Sequence, residues 1–327
     1  MPCRLLRALR VVFSHMVCVK ATVITSALPC TLESADSRWR VHESASARRI
    51  VDGLAILYNS GASRNRGVEM KYAVMSDVHA NPTALAKALD DARSCGVDTY
   101  VCLGDIVGYG PSPDEAITLS RKVFGNRVVV GNHDAALLRE MSMDSFSRRA
   151  QKSIIAQRCM VGAENLDWLG ACPSLLREGT MLFVHGDVGR DGDVLKPGFG
   201  YVFRPDDVKR TLSSVAGAGV NIVFVGHTHE PAMWRLGNNG CVEMIAENQM
   251  SVDESDRCVI NVGTVGCPRS VPFASYAVVG EKEDGSVDIE LRKLSFDYLG
   301  YRDSLLAANA YVPIWLEDFV ARLGCSK

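Results

Sequence analysis

Five runs of apolar and β-branched residues punctuate the middle of this chain, and a short polar cluster follows each run. The runs cover residues 72–75, 99–103, 127–130, 181–184 and 221–225. Apolar runs of this length are typical of strands that are buried on both faces of a sheet. Because amphipathic segments with helix-start signals separate several of these runs, the pattern predicts an α/β protein in which strands and helices alternate.

The segments outside these runs extend the prediction. Helices are expected over residues 82–94, from 113 onward, over about 35 residues after 134, near 205–216, and at 298–308 and 313–323. After residue 230 the pattern changes to short alternating strands with Gly- and Asn-rich turns, which predicts antiparallel hairpins. These strands are expected at residues 232–236, 242–246, 258–262, 275–279 and 287–294.

The five polar clusters supply the candidate chemistry. In chain order they hold Asp77 and His79, Asp105, Asn132 and His133, His185, and His227 and His229. Ligands of open α/β sheets bind beyond the carboxyl ends of the strands, so five strand ends would bring these side chains into one crevice. Imidazole, carboxylate and amide groups together suit a pair of divalent metal ions. Any one of these residues alone would be better explained as a structural residue or a helix cap.

Composition narrows the classes of function. The 327-residue chain has a formal net charge of −2, with a net +5 in residues 1–70 and a net −7 in residues 71–327. The main body therefore has no global basic field for a nucleic acid polymer. The eleven cysteines include no CxxC pair. This usage favours a reducing compartment over a disulfide framework, and we expect a cytoplasmic protein.

Residues 1–69 differ from the rest of the chain. Arginines precede a modestly apolar stretch at residues 11–29, which His15 and Lys20 interrupt. This stretch does not qualify as a transmembrane helix, so no membrane association is expected. The segment is either a disordered extension, a targeting segment such as a poor signal peptide or an organelle transit peptide, or an artefact of a chain whose translation starts at Met70. The last interpretation is favoured.

In their order along the chain, the five clusters resemble the signature blocks of the calcineurin-like metallophosphoesterases. The blocks read DxH at Asp77, GD at Asp105, GNHD at Asn132, a lone His before Gly at His185, and GHTH at His227. The text SDVHAN with GDIVGYGP looks like the small bacterial-type phosphodiesterase branch. The resemblance implies a four-layer α/β/β/α sandwich over residues 70–296. Residues 297–327 are then a helical segment that packs on this domain, with an oligomer contact as an alternative role.

The same resemblance implies a division of labour among the clusters. The implied ligands are Asp77, His79 and His229 for one metal ion, Asn132, His185 and His227 for the other, and Asp105 as the bridge. His133 is implied to protonate or stabilise the leaving oxygen, so the predicted catalytic residues are His133, Asp105 and Asn132. Two divalent ions are expected, manganese first, with iron, nickel, cobalt and zinc as alternatives. The predicted substrate contacts are Asn81, Tyr109 and Arg269, for which turn formation, core packing or surface solvation are equal alternatives. Asp134 and Asp187 either orient a neighbouring histidine or cap a helix.

The expected activity is hydrolysis of a small phosphodiester or phosphomonoester by attack of a metal-activated hydroxide on phosphorus. Protein phosphatases of this family read GDxVDRG and RGNHE, but this chain has Gly108, Tyr109 and Val130 at the differing charged positions. A small phosphate ester is therefore the expected partner, rather than a phosphoprotein, a membrane or a nucleic acid polymer. Two alternatives stay open: a non-catalytic protein-interaction scaffold of the same fold, and a nuclease.

Overall fold

Two β-sheets form the centre of the described protein, which in this computed structural model comprises residues 70–313, 316, 317, 320 and 321. The strands are β1 (Met70–Met75), β2 (Thr99–Cys102), β3 (Leu175–Glu178), β4 (Met181–Val184), β5 (Val188–Asp191), β6 (Val194–Pro197), β7 (Ile222–Val225), β8 (Ala232–Leu236), β9 (Val242–Ile245), β10 (Gln249–Val252), β11 (Cys258–Asn261), β12 (Phe273–Glu281) and β13 (Val287–Ser295). The helices are α1 (Pro82–Ser94), α2 (Pro113–Phe124), α3 (Asn132–Leu137), α4 (Arg148–Gln157), α5 (Ala163–Ala171), α6 (Pro205–Val215) and α7 (Tyr298–Ala307). The interpretations of residues 1–69 lie outside the described residues.

Both sheets are mixed. The first has the strand order β10-β13-β12-β1-β2, and the second has the order β3-β4-β7-β11-β8-β9. β1 runs parallel to β2, and β7 runs parallel to both β4 and β11. The carboxyl ends of β1 and β2 therefore lie at one edge of the first sheet, and those of β4 and β7 lie at one edge of the second.

The alternation of side chains along β1 explains the layers. Ala73 and Met75 pack into a core with Leu89 of α1, whereas Tyr72 and Val74 pack into the core between the two sheets. Successive residues of a strand point to opposite faces. Because both faces of β1 are covered, its sequence is continuously apolar.

The second sheet is covered in the same way. Phe224 of β7 lies in the core between the sheets, and its neighbour Val223 packs against Leu212 of α6 on the outside. The order of layers is thus helices, sheet, sheet, helices. The predicted four-layer α/β/β/α sandwich is confirmed.

Two local predictions were wrong. The run at residues 127–130 forms only a single bridge, between Val128 and Cys102, because Val130 N donates to Pro173 O and leads the chain away from β2. The expected helical stretch after residue 134 is divided into α3, α4 and α5. A new helix begins at Arg148, where the Ser147 side chain accepts a hydrogen bond from Ala150 N.

The five strands predicted after residue 230 were found, but not all their pairings. β8 with β9 and β12 with β13 are antiparallel pairs, as predicted. β11, by contrast, inserts between β7 and β8 and pairs in parallel with β7. β3, β5, β6 and β10 were not predicted. Each has four residues, which is too short to show a clear alternation of apolar and polar positions.

The segment after β13 continues into α7, which contacts the loop before β12. Tyr301 and Leu305 are buried in a small cluster with Phe296, and the Tyr298 hydroxyl donates to Val271 O at 3.1 Å. Part of the second predicted C-terminal helix lies outside the described residues. Within the described residues, no helix is both long and apolar enough to cross a membrane.

Candidate metal centre

The candidate site lies where the loops after β1, β2, β4 and β7 meet. The two loops of the first sheet hydrogen-bond to each other, with Asp77 N donating to Gly104 O at 3.0 Å and His79 N donating to Asp105 O at 2.9 Å. Across the seam between the sheets, His227 N donates to Asp77 Oδ2 at 2.9 Å. These bonds hold the ends of strands from both sheets in one fixed arrangement.

Several loop residues have a left-handed backbone. Asp77, His79, Asp105, His227 and His229 have φ values from 48° to 66°. This conformation costs a non-glycine residue about 1–3 kcal/mol and persists only where the surroundings enforce it. Such strain clusters at functional sites, where the chain must turn sharply to present a side chain.

Two glycines allow the loops to approach so closely. A Cβ atom at Gly131 would overlap Asp105, and one at Gly226 would overlap the side chains of Ser76 and Asp77. A larger residue at either position would push the loops of the site apart. Close packing thus explains why glycine stands at these positions of the GNHD and GHTH blocks.

A first group of side-chain atoms converges at the seam. His229 Nε2 lies 3.1 Å from Asp77 Oδ1, and His79 Nε2 lies 3.5 Å from the same oxygen. The two Nε2 atoms are 2.9 Å apart. All three residues are buried, and they form one of the groups that could hold a metal ion.

A second group lies beside the first. His185 Nε2 is 3.0 Å from Asn132 Oδ1 and 3.2 Å from His227 Nδ1. Asp105 Oδ2 lies 3.4 Å from His185 Nε2 and 3.8 Å from His79 Nε2, so one carboxylate oxygen borders both groups. The structure thus brings together all seven predicted ligands.

The other nitrogen of three rings fixes the tautomer. His79, His185 and His229 have Nδ1 at 2.9, 2.8 and 2.6 Å from the backbone carbonyl oxygens of Val107, Leu103 and Cys267 respectively. A carbonyl oxygen only accepts, so Nδ1 of His79 and of His185 donates its proton, and the Nε2 of each neutral ring presents a lone pair to the site. His229 Nδ1 also lies 3.2 Å from Arg269 Nε, which only donates, but its shorter contact to Cys267 O favours the same tautomer.

The donor set fits a cation. In the neutral form that binds a metal ion, with Nδ1 protonated, His79 and His229 direct lone pairs at each other over 2.9 Å, and the buried Asp77 Oδ1 has no hydrogen-bond partner in the described protein. Buried acceptors that face one another without a donor are unfavourable. A divalent ion between them would satisfy all three atoms, and nitrogen and oxygen donors suit borderline transition metals.

The electrostatics of the site keep the carboxylates charged. Burial opposes the charged form of Asp77, but the facing His229 and His79 outweigh it and hold the pKa of this carboxyl well below its usual value. Burial likewise opposes the charge of Asp105, and His185 and His133 lower its pKa further than burial raises it. Both carboxylates are therefore anionic at neutral pH.

The histidines divide into two kinds. Burial lowers the pKa of His227 to about 3, and burial also lowers that of His133 to about 3, so both rings are neutral. For His185 burial acts in the same direction, but the charge of Asp105 outweighs it and raises the pKa to about 9. A cation that binds His185 must therefore displace a proton.

His133 stands at the rim of the two groups. Its Nε2 lies 4.0 Å from Asp105 Oδ2, and its ring contacts Tyr109 and Phe146 at centroid distances of 4.7 and 5.1 Å. Its buried Nδ1 has no hydrogen-bond partner among the described residues. Gly108 lies directly against this ring, since a Cβ there would overlap it. The charged partner that protein phosphatases have near this histidine is thus replaced by backbone.

The predicted substrate contacts divide between two places. Tyr109 and Arg269 line the same pocket as the histidines, with the Arg269 Cζ 5.4 Å from the Tyr109 ring centroid. Asn81 lines a different groove. Its side chain accepts from Ala84 N as the cap of α1 and donates to Gly266 O.

Asp134 and Asp187 contact backbone amides rather than histidine side chains. Asp134 accepts from Val107 N and from Gly131 N, and this second bond belongs to the capping box of α3. Asp187 accepts from Gly200 N at 2.8 Å. Both carboxylates therefore stabilise loops of the site.

Sequence reasoning missed the aromatic wall of the pocket. This pocket has a volume of about 400 Å³, and Phe146, Phe199 and Tyr201 line it together with the polar groups. The Tyr201 ring stacks on His227 at a centroid distance of 4.1 Å and an angle of 13°. The aromatic residues of Gly198-Phe199-Gly200-Tyr201, set between glycines after the β5–β6 hairpin, were the available signal.

Known proteins share this fold and its sequence blocks. Residues 70–284 match the family described as "Calcineurin-like phosphoesterase superfamily domain". An uncharacterized protein from Methanocaldococcus jannaschii is 32% identical over 256 residues, which cover 77% of this chain and 97% of that protein. The crystal structure of a metallophosphoesterase from Sphaerobacter thermophilus is similar with a TM-score of 0.61 and 30% identity, over 76% of this chain and 96% of the other.

A shorter likeness concerns a named enzyme. The symmetrical bis(5′-nucleosyl)-tetraphosphatase of Neisseria meningitidis is 34% identical over 94 residues, which cover 28% of this chain and 34% of that enzyme. The family match spans well over half of the chain and includes every loop of the site. The chain belongs to the calcineurin-like phosphoesterase superfamily, as its signature blocks predicted.

Proposed function

We propose that this protein is a phosphoesterase that holds two divalent metal ions and hydrolyses small phosphate esters. One observation carries the proposal: two groups of buried donor atoms converge side by side, and Asp105 Oδ2 borders both. A carboxylate shared in this way is the usual means of holding two cations close together. The ligands would be Asp77, His79 and His229 for one ion, Asn132, His185 and His227 for the other, and Asp105 for both.

The side chains of the site then have distinct tasks. When bound, the two ions would supply a hydroxide nucleophile at neutral pH and neutralise charge on the phosphoryl oxygens. Asp105 and Asn132, as ligands, would fix the positions of the ions and thereby orient the reacting phosphate. His133, which stays neutral and lies at the rim, donates a hydrogen bond to the leaving oxygen. The tautomers of His79, His185 and His229 are set by backbone carbonyls, so the site is organised before substrate arrives.

The pocket favours a small substrate. Its volume of about 400 Å³ suits a nucleotide-sized molecule. The Neisseria enzymes that are 33–34% identical to this chain over 94 residues are named for bis(5′-nucleosyl) tetraphosphates, which supports a phosphate ester of the nucleotide type. The seven described cysteines are free thiols, which supports the expected reducing, cytoplasmic setting. Manganese as the native ion and a homo-oligomer remain predictions.

Two other functions are less well supported. A non-catalytic scaffold has no need of seven buried, convergent polar side chains, which cost stability where they have no ligand. A nuclease needs a basic surface, and residues 71–327 carry a net charge of −7. A local basic groove does lie beside the pocket, lined by Arg149 and Lys152.

The test is turnover by the full chain after it has been reloaded with Mn²⁺. We expect hydrolysis of an aryl phosphodiester or of the matching monoester, and we expect Asp105→Asn to lower kcat by at least about 10²-fold, since it weakens both ion sites. Metal analysis of the same samples should give two ions per wild-type chain and fewer in the variant. Two bound ions without turnover of either ester would refute the hydrolase and favour the scaffold.

A further inference from the structure

Tyr109 separates the metal pocket from a second groove. It lines the pocket of the histidines and also a groove of about 400 Å³ between the loop after β2, α4 and the residues that follow α7. We name this second space the Arg149 groove. Its charged side chains are Arg149 and Lys152, and no carboxylate lines it.

The cations of the Arg149 groove have no anionic partner among the described residues; Arg149 contacts only the aromatic rings of Tyr109 and Tyr311. In the described protein, neither Arg149 nor Lys152 pairs with a carboxylate, and neither donates a hydrogen bond to an acceptor. Arg149 Nη2 is buried without an acceptor. A buried guanidinium N–H without an acceptor is unfavourable, so the groove is incomplete without an anion.

The positive charge continues from the groove to the metal pocket. The guanidinium of Arg149 lies 4.6 Å from the Tyr109 ring centroid, and that of Arg269, which lines the metal pocket, lies 5.4 Å from it. Tyr109 is thus held between two arginines, one belonging to each space. A flexible chain of phosphates that passes Tyr109 would meet a cation on either side of it.

We propose that Arg149 and Lys152 bind a second phosphate group of the substrate, separate from the phosphorus that reacts. The preferred substrate class is then a phosphoester whose leaving or retained part carries another phosphate. Guanidinium and ammonium groups are the usual donors to phosphate, and arginine binds it through two N–H groups at once. This inference rests on the proposed function and specifies the substrate of the same site.

The test uses two chromogenic substrates that differ at one end. Both are p-nitrophenyl phosphodiesters with an alkyl arm, which ends in a phosphate in one and in a hydroxyl in the other. With the Mn²⁺-loaded full chain, we expect kcat/KM for the phosphate-ended diester to exceed that for the hydroxyl-ended one roughly tenfold, mainly through KM. The arm length that gives the highest kcat/KM reports the distance between the reacting phosphorus and the groove.

Variants assign the preference to the groove. Arg149→Gln should bring the ratio of the two kcat/KM values close to one, and Arg149→Lys, which keeps the charge, should retain most of the preference. The matched control is Arg148→Gln, an exposed neighbour on the same helix that lines neither space. It should leave the ratio unchanged.

Several results would overturn the proposal. Equal turnover of both diesters by the wild type would do so. An unchanged ratio in Arg149→Gln with Lys152→Gln would mean that these residues only support Tyr109. If neither diester nor the aryl monoester is hydrolysed, the proposed function fails. Calorimetric binding of the phosphate-ended diester then decides: tighter binding by wild type than by Arg149→Gln supports the groove, and equal binding refutes it.

Discussion

The space between the two sheets and the loops at their carboxyl ends are both buried, but they follow opposite rules. Between the sheets, Phe183 and Phe224 stack with parallel rings 5.1 Å apart, and both are fully buried. In the loops, Asp77, His79 and His229 are 0–1% exposed, as deeply buried as the phenylalanines. There, acceptors face acceptors, which an apolar core never requires.

The backbone shows the same contrast. Among the described non-glycine residues with positive φ, all but Arg139 and Asn309 lie in the loops of the site. Strand residues have no such strain. The comparison teaches that the sheets stabilise the fold, whereas the site loops lower its stability until an ion offsets their strain and their unpaired groups.

The largest effect should come from the space between the sheets. Phe224→Ala removes a fully buried ring and should lower the free energy of unfolding by about 3–5 kcal/mol, because the stacked Phe183 cannot fill the cavity. Thermal denaturation should show a fall in Tm on the order of 10 °C. Met244→Ala on β9, where the side chain is 68% exposed, is the control and should change Tm little.

A smaller effect of opposite sign should come from the site. Saturating Mn²⁺ should stabilise the full chain relative to the same protein in a chelator, by about 2.7 kcal/mol at a free concentration one hundred times the Kd. The reason is that an ion binds the convergent donors of the folded chain and not the unfolded one. A Tm that does not respond to Mn²⁺ would contradict the division between stabilising sheets and destabilising loops.

The smallest effect tests the site without any ion. Asp77→Asn keeps an oxygen for His227 N and places an amide where Oδ1 now lies, 3.1 Å from His229 Nε2. This amide can donate to a neutral His229, so in chelator at pH 10, above the pKa of about 9 of His185, the variant should be more stable than the wild type by about 1 kcal/mol. At lower pH the variant also loses the attraction to the histidines that lowers the pKa of Asp77, and this gain should disappear. Asparagine also tolerates the positive φ of this position.

The matched control is the same substitution in the body of the protein. Asp91 on α1 accepts from Arg292 and from the Tyr276 hydroxyl, and chiefly the Arg292 bond lowers its pKa. Asp91→Asn should therefore destabilise slightly, by less than about 1 kcal/mol for a pair that is partly exposed. A decrease in stability at both positions, measured by chemical denaturation, would erase the distinction between the two regions.

Sequence alone predicted the part of the site that lies next to strands. The residues of the five blocks are delivered by strand ends, and a strand end can be located from a short apolar run followed by a turn. Even the run at 127–130, which is not a full strand, brings Asn132 to its place. The layers of the fold were equally predictable. They follow from the family resemblance and from apolar strands, which indicate that both faces of a sheet are buried.

Arg149 and Tyr201 were not predictable in the same way. Arg149 is on a helix and Tyr201 is on a loop after a hairpin, and both reach Tyr109 or His227 only through tertiary packing. An arginine on an amphipathic helix normally lies in solvent, so nothing in its local pattern distinguished it. Whether Arg149 points toward a pocket depends on the orientation of α4 relative to the loop before it. The periodicity of the helix does not determine this orientation.

The hydrogen bond from His227 N to Asp77 Oδ2 joins a loop of the second sheet to a loop of the first. Gly266 N, which follows β11, also donates to Asp77 O at 3.0 Å. The candidate metal centre therefore also joins the two sheets, and any sliding of one sheet over the other would separate the groups of ligand residues. The distances between the ligand residues depend on how the two sheets are aligned. A substitution that repacks the core between the sheets should therefore also change the geometry of the site.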